Sequence, residues 1–350
     1  MTSSNLSPKP PACGAPEPAP PALPGVESAA AASVGPRPSL RATVVVPTYH
    51  RPDELRVCLS SLLAQTVQPH EVVVVDDGDL QEWPLEREFR QAGIRYVGHR
   101  KSPPGLTASR NAGIRLATGD VVFFVDDDTE MLPDYLERIL ETYAGDTDGG
   151  VGGIAGAIVE SRPMRWFHRL RWAWDVLFLA SGFREGSVLP SGFCVDFQTT
   201  PYPVRELSEV RFFPGGASSF RREVFAQEGF SEEYRGYGLG EDKDFCVRVG
   251  RRWRLLVNPA ARIHHYESPK MRFDKRRRGR ELVRFRHRFF RDHVRRGPAS
   301  RLCFALALFG YVIARTLIAL LSFDRGEWTR VYGIFEGVGE VLIGRRDAAD

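Results

Sequence analysis

The sequence has no CxxC pair, no glycine-rich basic loop near its first strand, and no basic start leading into an apolar run. Cys13, Cys58, Cys194, Cys246 and Cys303 stand singly in the 350 residues. That scatter excludes a zinc ribbon, a thioredoxin-type dithiol and a disulfide framework, and it fits a reducing compartment. The form of the first residues predicts no secretory signal peptide. An excess of one charge is missing too: 48 basic against 44 acidic residues leave a net charge of +4, too little to argue for nucleic acid. With 43% hydrophobic and 26% charged residues the composition is that of an ordinary globular protein. The length allows one large α/β domain with appendages.

What is present is unevenly distributed. Residues 1–40 hold ten of the 25 prolines, spaced mainly by Ala, Ser and Gly, and read as a disordered tail. From Thr43 the pattern changes to short β-branched runs: Thr43-Val44-Val45-Val46, Glu71-Val72-Val73-Val74-Val75 and Val121-Val122-Phe123-Phe124-Val125. Between them, Pro52-Asp53-Glu54 opens a helix with Leu55, Leu59, Leu62 and Leu63 at helical spacing, and a second helix runs from Leu106 towards Ala117. Continuous apolar strands spaced by helices predict a parallel sheet covered on both faces, a βαβαβ nucleotide-binding half.

Residues 166–183 are rich in Trp, Phe and Leu, and read either as a helix packed on the core or as one facing a membrane or an acceptor. Residues 270–296 carry thirteen Lys or Arg against three acids, interleaved with Phe, which makes a basic amphipathic segment. Residues 302–321 are nearly all apolar but interrupted by Arg315 and Thr316. They approach the ~20 residues that cross a bilayer, whereas a central Arg costs roughly 2.5–3.5 kcal/mol. A single span, an in-plane helix and a buried C-terminal helix are all open. The basic stretch just before the apolar one favours contact with an anionic membrane.

The chemistry concentrates at strand ends. Asp126-Asp127-Asp128 closes the run Val121 to Val125, and three adjacent carboxylates repel one another unless a cation or a set of donors neutralises them. Mn²⁺ or Mg²⁺, bound by carboxylate oxygens and bridging a diphosphate, meets that need. Asp76-Asp77 ends the preceding run, and Pro47-Thr48-Tyr49 ends the first; together the three strand ends define one crevice where open α/β sheets bind ligands. Farther on, Gly215-Gly216 and Gly238-Leu239-Gly240 permit close backbone approach to a ligand, and the second leads into the acidic pair Glu241-Asp242. The plainer structural readings are an acidic turn in solvent at 126–128 and, for Glu241 and Asp242, capping of the helix that runs through Phe245 and Val249.

Taken in order, Val44-Val45-Val46-Pro47-Thr48-Tyr49, Val75-Asp76-Asp77-Gly78, Ser109-Arg110-Asn111-Ala112-Gly113 and Asp126-Asp127-Asp128 resemble the successive nucleotide-sugar motifs of family 2 glycosyltransferases. The resemblance covers residues 41–267. It implies an α/β, Rossmann-like GT-A nucleotide-diphospho-sugar transferase fold with a mostly parallel central sheet at 41–269. A basic and apolar, membrane-associated helical region follows at 270–350. It further implies an inverting transfer from a nucleotide-diphosphate sugar to a hydroxyl acceptor, in cell-surface polysaccharide or glycolipid assembly. By the same resemblance Asp242 is the catalytic base. Thr48 and Asp76 contact base and ribose, and Arg110 faces the nucleotide. Asp128 holds the metal with Asp126 nearby, and one of His264 and His265, with His264 preferred, completes the metal site. Pro47, Tyr49, Asp77, Asn111, Asp127, Gly216 and Glu241 complete the substrate-binding set.

The expected partners are the donor, a lipid-linked hydroxyl acceptor and an anionic membrane surface, with no nucleic acid. The expected location is the cytoplasmic face of the cell membrane, as a peripheral or single-span protein. A phosphatase of the haloacid dehalogenase type would place Thr or Val where Glu130 stands, and a nucleotidyltransferase would carry a glycine-rich loop where Tyr49-His50-Arg51-Pro52 stands. An inactive scaffold or lipid-binding protein on the same sheet is the remaining alternative.

Overall fold

A computed structural model describes residues 40–159, 165–234, 238–266, 268 and 274–344. The proline-rich segment before Leu40, Glu267 and residues 270–273 of the basic stretch lie outside the described residues. The chain order opens with β1 (Ala42–Thr48), α1 (Pro52–Leu63), β2 (Glu71–Asp76), α2 (Glu86–Gln91), β3 (Arg95–Arg100), α3 (Leu106–Leu116) and β4 (Val121–Val125). It continues through β5 (Thr129–Met131), α4 (Tyr135–Gly145), β6 (Val151–Ile158), α5 (Trp166–Leu177), β7 (Ser208–Val210) and β8 (Ala217–Arg221). After a 3-10 turn come α6 (Glu241–Val249), β9 (Arg254–His265) and α7 (Lys275–Phe289), a π-helical turn, α8 (Pro298–Ser322) and α9 (Arg325–Ile343).

Among the described residues one sheet runs β3-β2-β1-β4-β8-β6-β9-β5, with β7 alongside β9. The half β3-β2-β1-β4 is parallel, as the apolar runs predict, whereas β8 is antiparallel to both of its neighbours and the rest is mixed. Strand parity builds two cores. Val44, Val46, Val72 and Val74 turn to one face under α1 and α4, and Val45, Val73, Val75 and Phe124 turn to the other under α3 and α6. Because both faces are covered, every residue of β1, β2 and β4 is buried.

β3 was not legible as a strand. Its sequence Arg-Tyr-Val-Gly-His-Arg looks polar because it lies at the sheet edge, with one side open to water. β1 lies between β2 and β4, so the acidic ends of β2 and β4 flank the end of the first strand.

The aromatic-rich segment forms α5, whose Trp166, Leu170 and Leu177 are exposed while Trp174 donates to the Gly310 carbonyl of α8 at 2.9 Å. α7, α8 and α9 belong to the same contact unit as the sheet.

Candidate active site

The ends of β1, β2 and β4, the loop before β8, the start of α6 and the end of β9 enclose a cavity of about 610 Å³. Of the residues singled out from the sequence, Pro47, Thr48, Tyr49, Asp77, Arg110, Asp126, Asp127, Asp128, Gly216, Glu241, Asp242 and His265 line it. Asp76, Asn111 and His264 do not.

Each of these three departures has a local cause. Asp76 is fully buried, and its carboxylate accepts the amides of Gly78 at 2.8 Å and Leu80 at 2.9 Å, so it shapes the turn after β2. Asp77 takes the place on the cavity wall, accepting from Ser109 Oγ at 2.6 Å and the Gly105 amide at 2.7 Å. Asn111 follows Arg110 on α3, about 100° further round the helix. It donates to the Phe230 carbonyl at 2.9 Å and accepts from the Phe230 amide at 3.0 Å, pinning that loop to α3. For the histidines the strand register decides: β9 pairs with β5 so that His265 lies opposite Thr129, beside Asp128, while His264 lies opposite Glu130 and stacks on Tyr266. The preference for His264 is thereby reversed.

The three consecutive aspartates have three different environments. Asp127 is buried and accepts from Thr48 Oγ1 at 2.8 Å and Arg51 Nη1 at 2.9 Å. Burial pushes its carboxyl up to about 6, against the pull of Arg51 and Thr48. Asp128 is also buried, which opposes ionisation. His265 at 3.1 Å, the Ser268 amide at 2.9 Å and Arg51 outweigh that cost and hold its carboxyl below the usual range. Asp126 is only partly covered, and Arg110 Nη2 approaches it at 3.3 Å. Asp126, Asp128 and His265 offer ligand atoms within 4.8 Å of one another. Two carboxylate oxygens and an imidazole nitrogen make a donor set that suits a hard divalent cation.

Arg110 is a fully buried guanidinium on α3 that joins two parts of the site. It pairs with Glu241 at the start of α6 on one side and with Asp126 on the other, above the Phe230 ring at 5.3 Å. The Gly215-Gly216 loop before β8 makes room for this, since a Cβ on Gly215 would meet the Arg110 guanidinium. A Cβ on Gly216 would overlap the Asp126 carboxylate, so the glycine serves a side chain of the site itself. Gly216→Ala is accordingly expected to displace Asp126 and to weaken any uptake of Mn²⁺ by the Asp126, Asp128 and His265 set about tenfold. Titration calorimetry with Mn²⁺ on both proteins checks it, and unchanged affinity would refute it.

Asp242 Oδ1 accepts the Lys243 amide at 2.8 Å and Oδ2 accepts the Gly215 amide at 3.3 Å. Burial raises its carboxyl above the ordinary value, with Lys243 and Arg110 opposing. Glu241 is raised as well, by burial first and then by the Asp242 charge, while Arg110 draws it back. A second cavity of about 600 Å³ shares Asp196, Asp242, Lys243 and His265 with the first, so Asp242 stands on the wall between two chambers.

Arg51 and Lys243 were not singled out from the sequence. Arg51 sits in the turn before Pro52, where nothing in spacing distinguishes it from a surface arginine. Lys243 follows the acidic pair, and its ammonium lies over the Phe212 ring at 5.2 Å, a placement set entirely by tertiary packing.

Comparison with known proteins agrees with this architecture. A sequence profile described as Glycosyl transferase family 2 matches residues 43–228. The glucosyl-dolichyl phosphate glucuronosyltransferase of Haloferax volcanii is 28% identical over 237 residues, covering 65% of this chain and 69% of that protein. Glycosyltransferase GlyA of Streptococcus pneumoniae is 36% identical over 133 residues, covering 37% of this chain and only 18% of that longer protein. Among solved structures, the mannosyltransferase PcManGT from Pyrobaculum calidifontis, in complex with GDP-Man and Mn²⁺, matches with a TM-score of 0.52 at 18% identity, over 90% of this chain and 91% of that one. That likeness is one of fold. With the profile spanning more than half of its length, the chain belongs to glycosyl transferase family 2.

Proposed function

We propose that the protein transfers a sugar, with inversion, from a nucleoside-diphosphate sugar to a hydroxyl acceptor. Asp242 acts as base, and Asp126, Asp128 and His265 hold Mn²⁺ or Mg²⁺. One observation carries this reading: Asp128 and Asp242 line the same cavity, the first within a ligand set for a divalent cation and the second at the passage to another chamber.

The donor nucleotide lies along the strand ends, against Pro47, Thr48, Tyr49 and Asp77, and the acceptor enters from the second chamber. Its hydroxyl oxygen attacks the anomeric carbon as the hydroxyl proton passes to an Asp242 carboxylate oxygen. The bond from that carbon to the diphosphate oxygen breaks on the opposite face, and the electron pair leaves with the diphosphate. A carboxyl raised by burial is a stronger base near neutrality, which suits Asp242 to this task. A bound Mn²⁺ or Mg²⁺ supplies neutralisation of the charge that grows on the leaving diphosphate. Arg110 positions Asp126 and Glu241, and Arg51 offsets the charge of Asp127 and Asp128.

Residues 41–269 supply this chemistry, and residues 270–350 bring it to the cytoplasmic face of a membrane, where the acceptor is a lipid-linked saccharide. The apolar α8 supports contact with a membrane, and the name of the Haloferax relative includes a dolichyl phosphate.

The direct test is binding of UDP and GDP to the purified chain. One of them is expected to bind in the presence of Mn²⁺ or Mg²⁺ and to lose affinity when EDTA is added. A screen of nucleotide sugars, scored by released diphosphate, then identifies the donor. Equal binding with and without the cation, or no release from any donor, would overturn the reading.

A further inference from the structure

The exposed apolar side chains are gathered in one part of the molecule. Among the described residues, fifteen of the twenty-one large hydrophobic side chains left open to solvent lie on α5, α8, α9 or at Phe323 between the last two. On α8, Leu302, Leu306, Phe309 and Leu320 fall on a single helical stripe, and on α9 Tyr332, Phe335 and Leu342 do the same. Monomeric soluble proteins rarely leave such surface uncovered.

The opposite stripes are tightly held. Ion pairs between Lys275 and Asp324 at 3.0 Å, Arg276 and Glu336, and Arg284 and Glu340 at 3.8 Å advance together along α7 and α9, so these helices run parallel. Their contact is close enough that a Cβ on Gly333 would overlap the Arg276 carbonyl. α8 runs back between their ends. Its Phe304 stacks on Phe290 at 4.6 Å, its Tyr311 ring lies 3.9 Å from the Arg286 guanidinium, and its Arg315 reaches Glu327 of α9 at 3.8 Å. α7 in turn lines the catalytic cavity through Arg278, Leu282 and Phe285.

This packing bears on how α8 meets a bilayer. Crossing it would pull the arginine-rich α7, and with it one wall of the cavity, into hydrocarbon where charged groups are strongly disfavoured. Lying in the interface puts the apolar stripes against the acyl chains and leaves α7 in water. We propose that α5, α8 and α9 form a monotopic docking face that lies in the plane of an anionic bilayer, with α8 an in-plane helix and not a span.

Charge complementarity names the occupant. Exposed Arg165 stands just before α5 and exposed Arg169 on it, and exposed Arg295, Arg296 and Arg301 stand ahead of and at the start of α8. A basic border around apolar stripes is the pattern that anionic headgroups attract. The inference rests on the proposed use of a membrane-borne acceptor and gives it a geometry. One helix, α7, separates the docking face from the cavity, a distance of about 10 Å.

The test is flotation of the full chain with vesicles of phosphatidylcholine, alone or mixed with phosphatidylglycerol, with donor hydrolysis measured on the same preparations. Alkaline carbonate washing of membranes from producing cells completes it. The protein is expected to float with the anionic vesicles, to detach as salt screens the headgroups, and to be released by carbonate. The triple variant Arg295→Gln, Arg296→Gln, Arg301→Gln should bind anionic vesicles about a hundredfold more weakly. Leu317→Glu with Leu320→Glu should abolish flotation. Both variants should retain donor hydrolysis. If the leucine variant loses hydrolysis it has misfolded, and the arginine variant, changed only at exposed positions, decides. Equal flotation on phosphatidylcholine alone together with resistance to carbonate would show a span, and no flotation on either vesicle would remove the docking face. Flotation without hydrolysis of any donor would instead overturn the proposed function and leave the docking face standing.

Discussion

Asp242→Asn is expected to bind the nucleotide and metal as the wild type does, and to lose transfer by about a thousandfold, within the range that a positioned general base contributes. The substitution keeps the shape of the side chain and an oxygen that accepts one of the two amides now satisfied by the carboxylate, those of Gly215 and Lys243. What it removes is a site for the acceptor proton. The pH profile adds a second readout. Burial raises the Asp242 carboxyl, so the wild-type rate should rise with pH as that group ionises, and the Asn variant should lack this rise. Steady-state kinetics with a fixed donor, and nucleotide titration of both proteins, make the measurement. A fall in nucleotide affinity as large as the fall in transfer would show that Asp242 organises the donor site and is not the base.

Asp128→Ala should produce the opposite division. Asp128 gathers His265, the Ser268 amide and Arg51 around one carboxylate, next to Asp126. Its loss is expected to weaken cation-dependent nucleotide binding by at least about a hundredfold, more than a supporting residue around a metal usually costs. Stability should respond to pH as well. The Asp128 carboxyl is held below its ordinary value in the folded chain, so its ionised form stabilises that state above the ordinary carboxyl range, about pH 4. This contribution is lost as pH falls through the depressed value. Thermal melting of the wild type should therefore drop more steeply on acidification than that of Asp128→Ala. Cation-dependent binding that survives in the variant would refute the assignment of the metal ligands.

How much of this could be read in advance follows from how each residue signals itself. The strands at Val44, Val72 and Val121 were legible because burial on both faces demands unbroken apolar runs. β3 was not, since an edge strand has one side in water and no such demand. The acidic cluster at 126–128 announced a problem of charge, but not its solution. Consecutive residues point in different directions, so Asp127 turns to Thr48 and Arg51 while Asp126 and Asp128 share a space with His265. The same parity separates Asp77 from Asp76 and His265 from His264, and a shift of one residue in register would exchange them.

The basic and apolar stretches at the end of the chain showed a similar limit. Their composition pointed to a membrane and left open a span, an in-plane helix and a buried one. The choice turns on which stripe of α8 is occupied by other helices. That stripe is covered through Tyr311 against Arg286, Phe304 against Phe290, and Gly310 against Trp174 of α5, 136 positions away in the chain.

By itself, then, the sequence determined the chemical types and the periodicities: apolar strands for a covered sheet, carboxylates at their ends, a glycine-rich approach to an acidic pair, and a basic segment before an apolar one. Those are local properties, set by burial and by repulsion between neighbours. Only the tertiary structure decided which member of each pair faces the cavity, that Arg110 joins Asp126 to Glu241 across the site, and which side of α8 is left open. Each of these depends on groups far apart in sequence meeting at distances of a few ångströms, where orientation sets the outcome and composition carries no record of it.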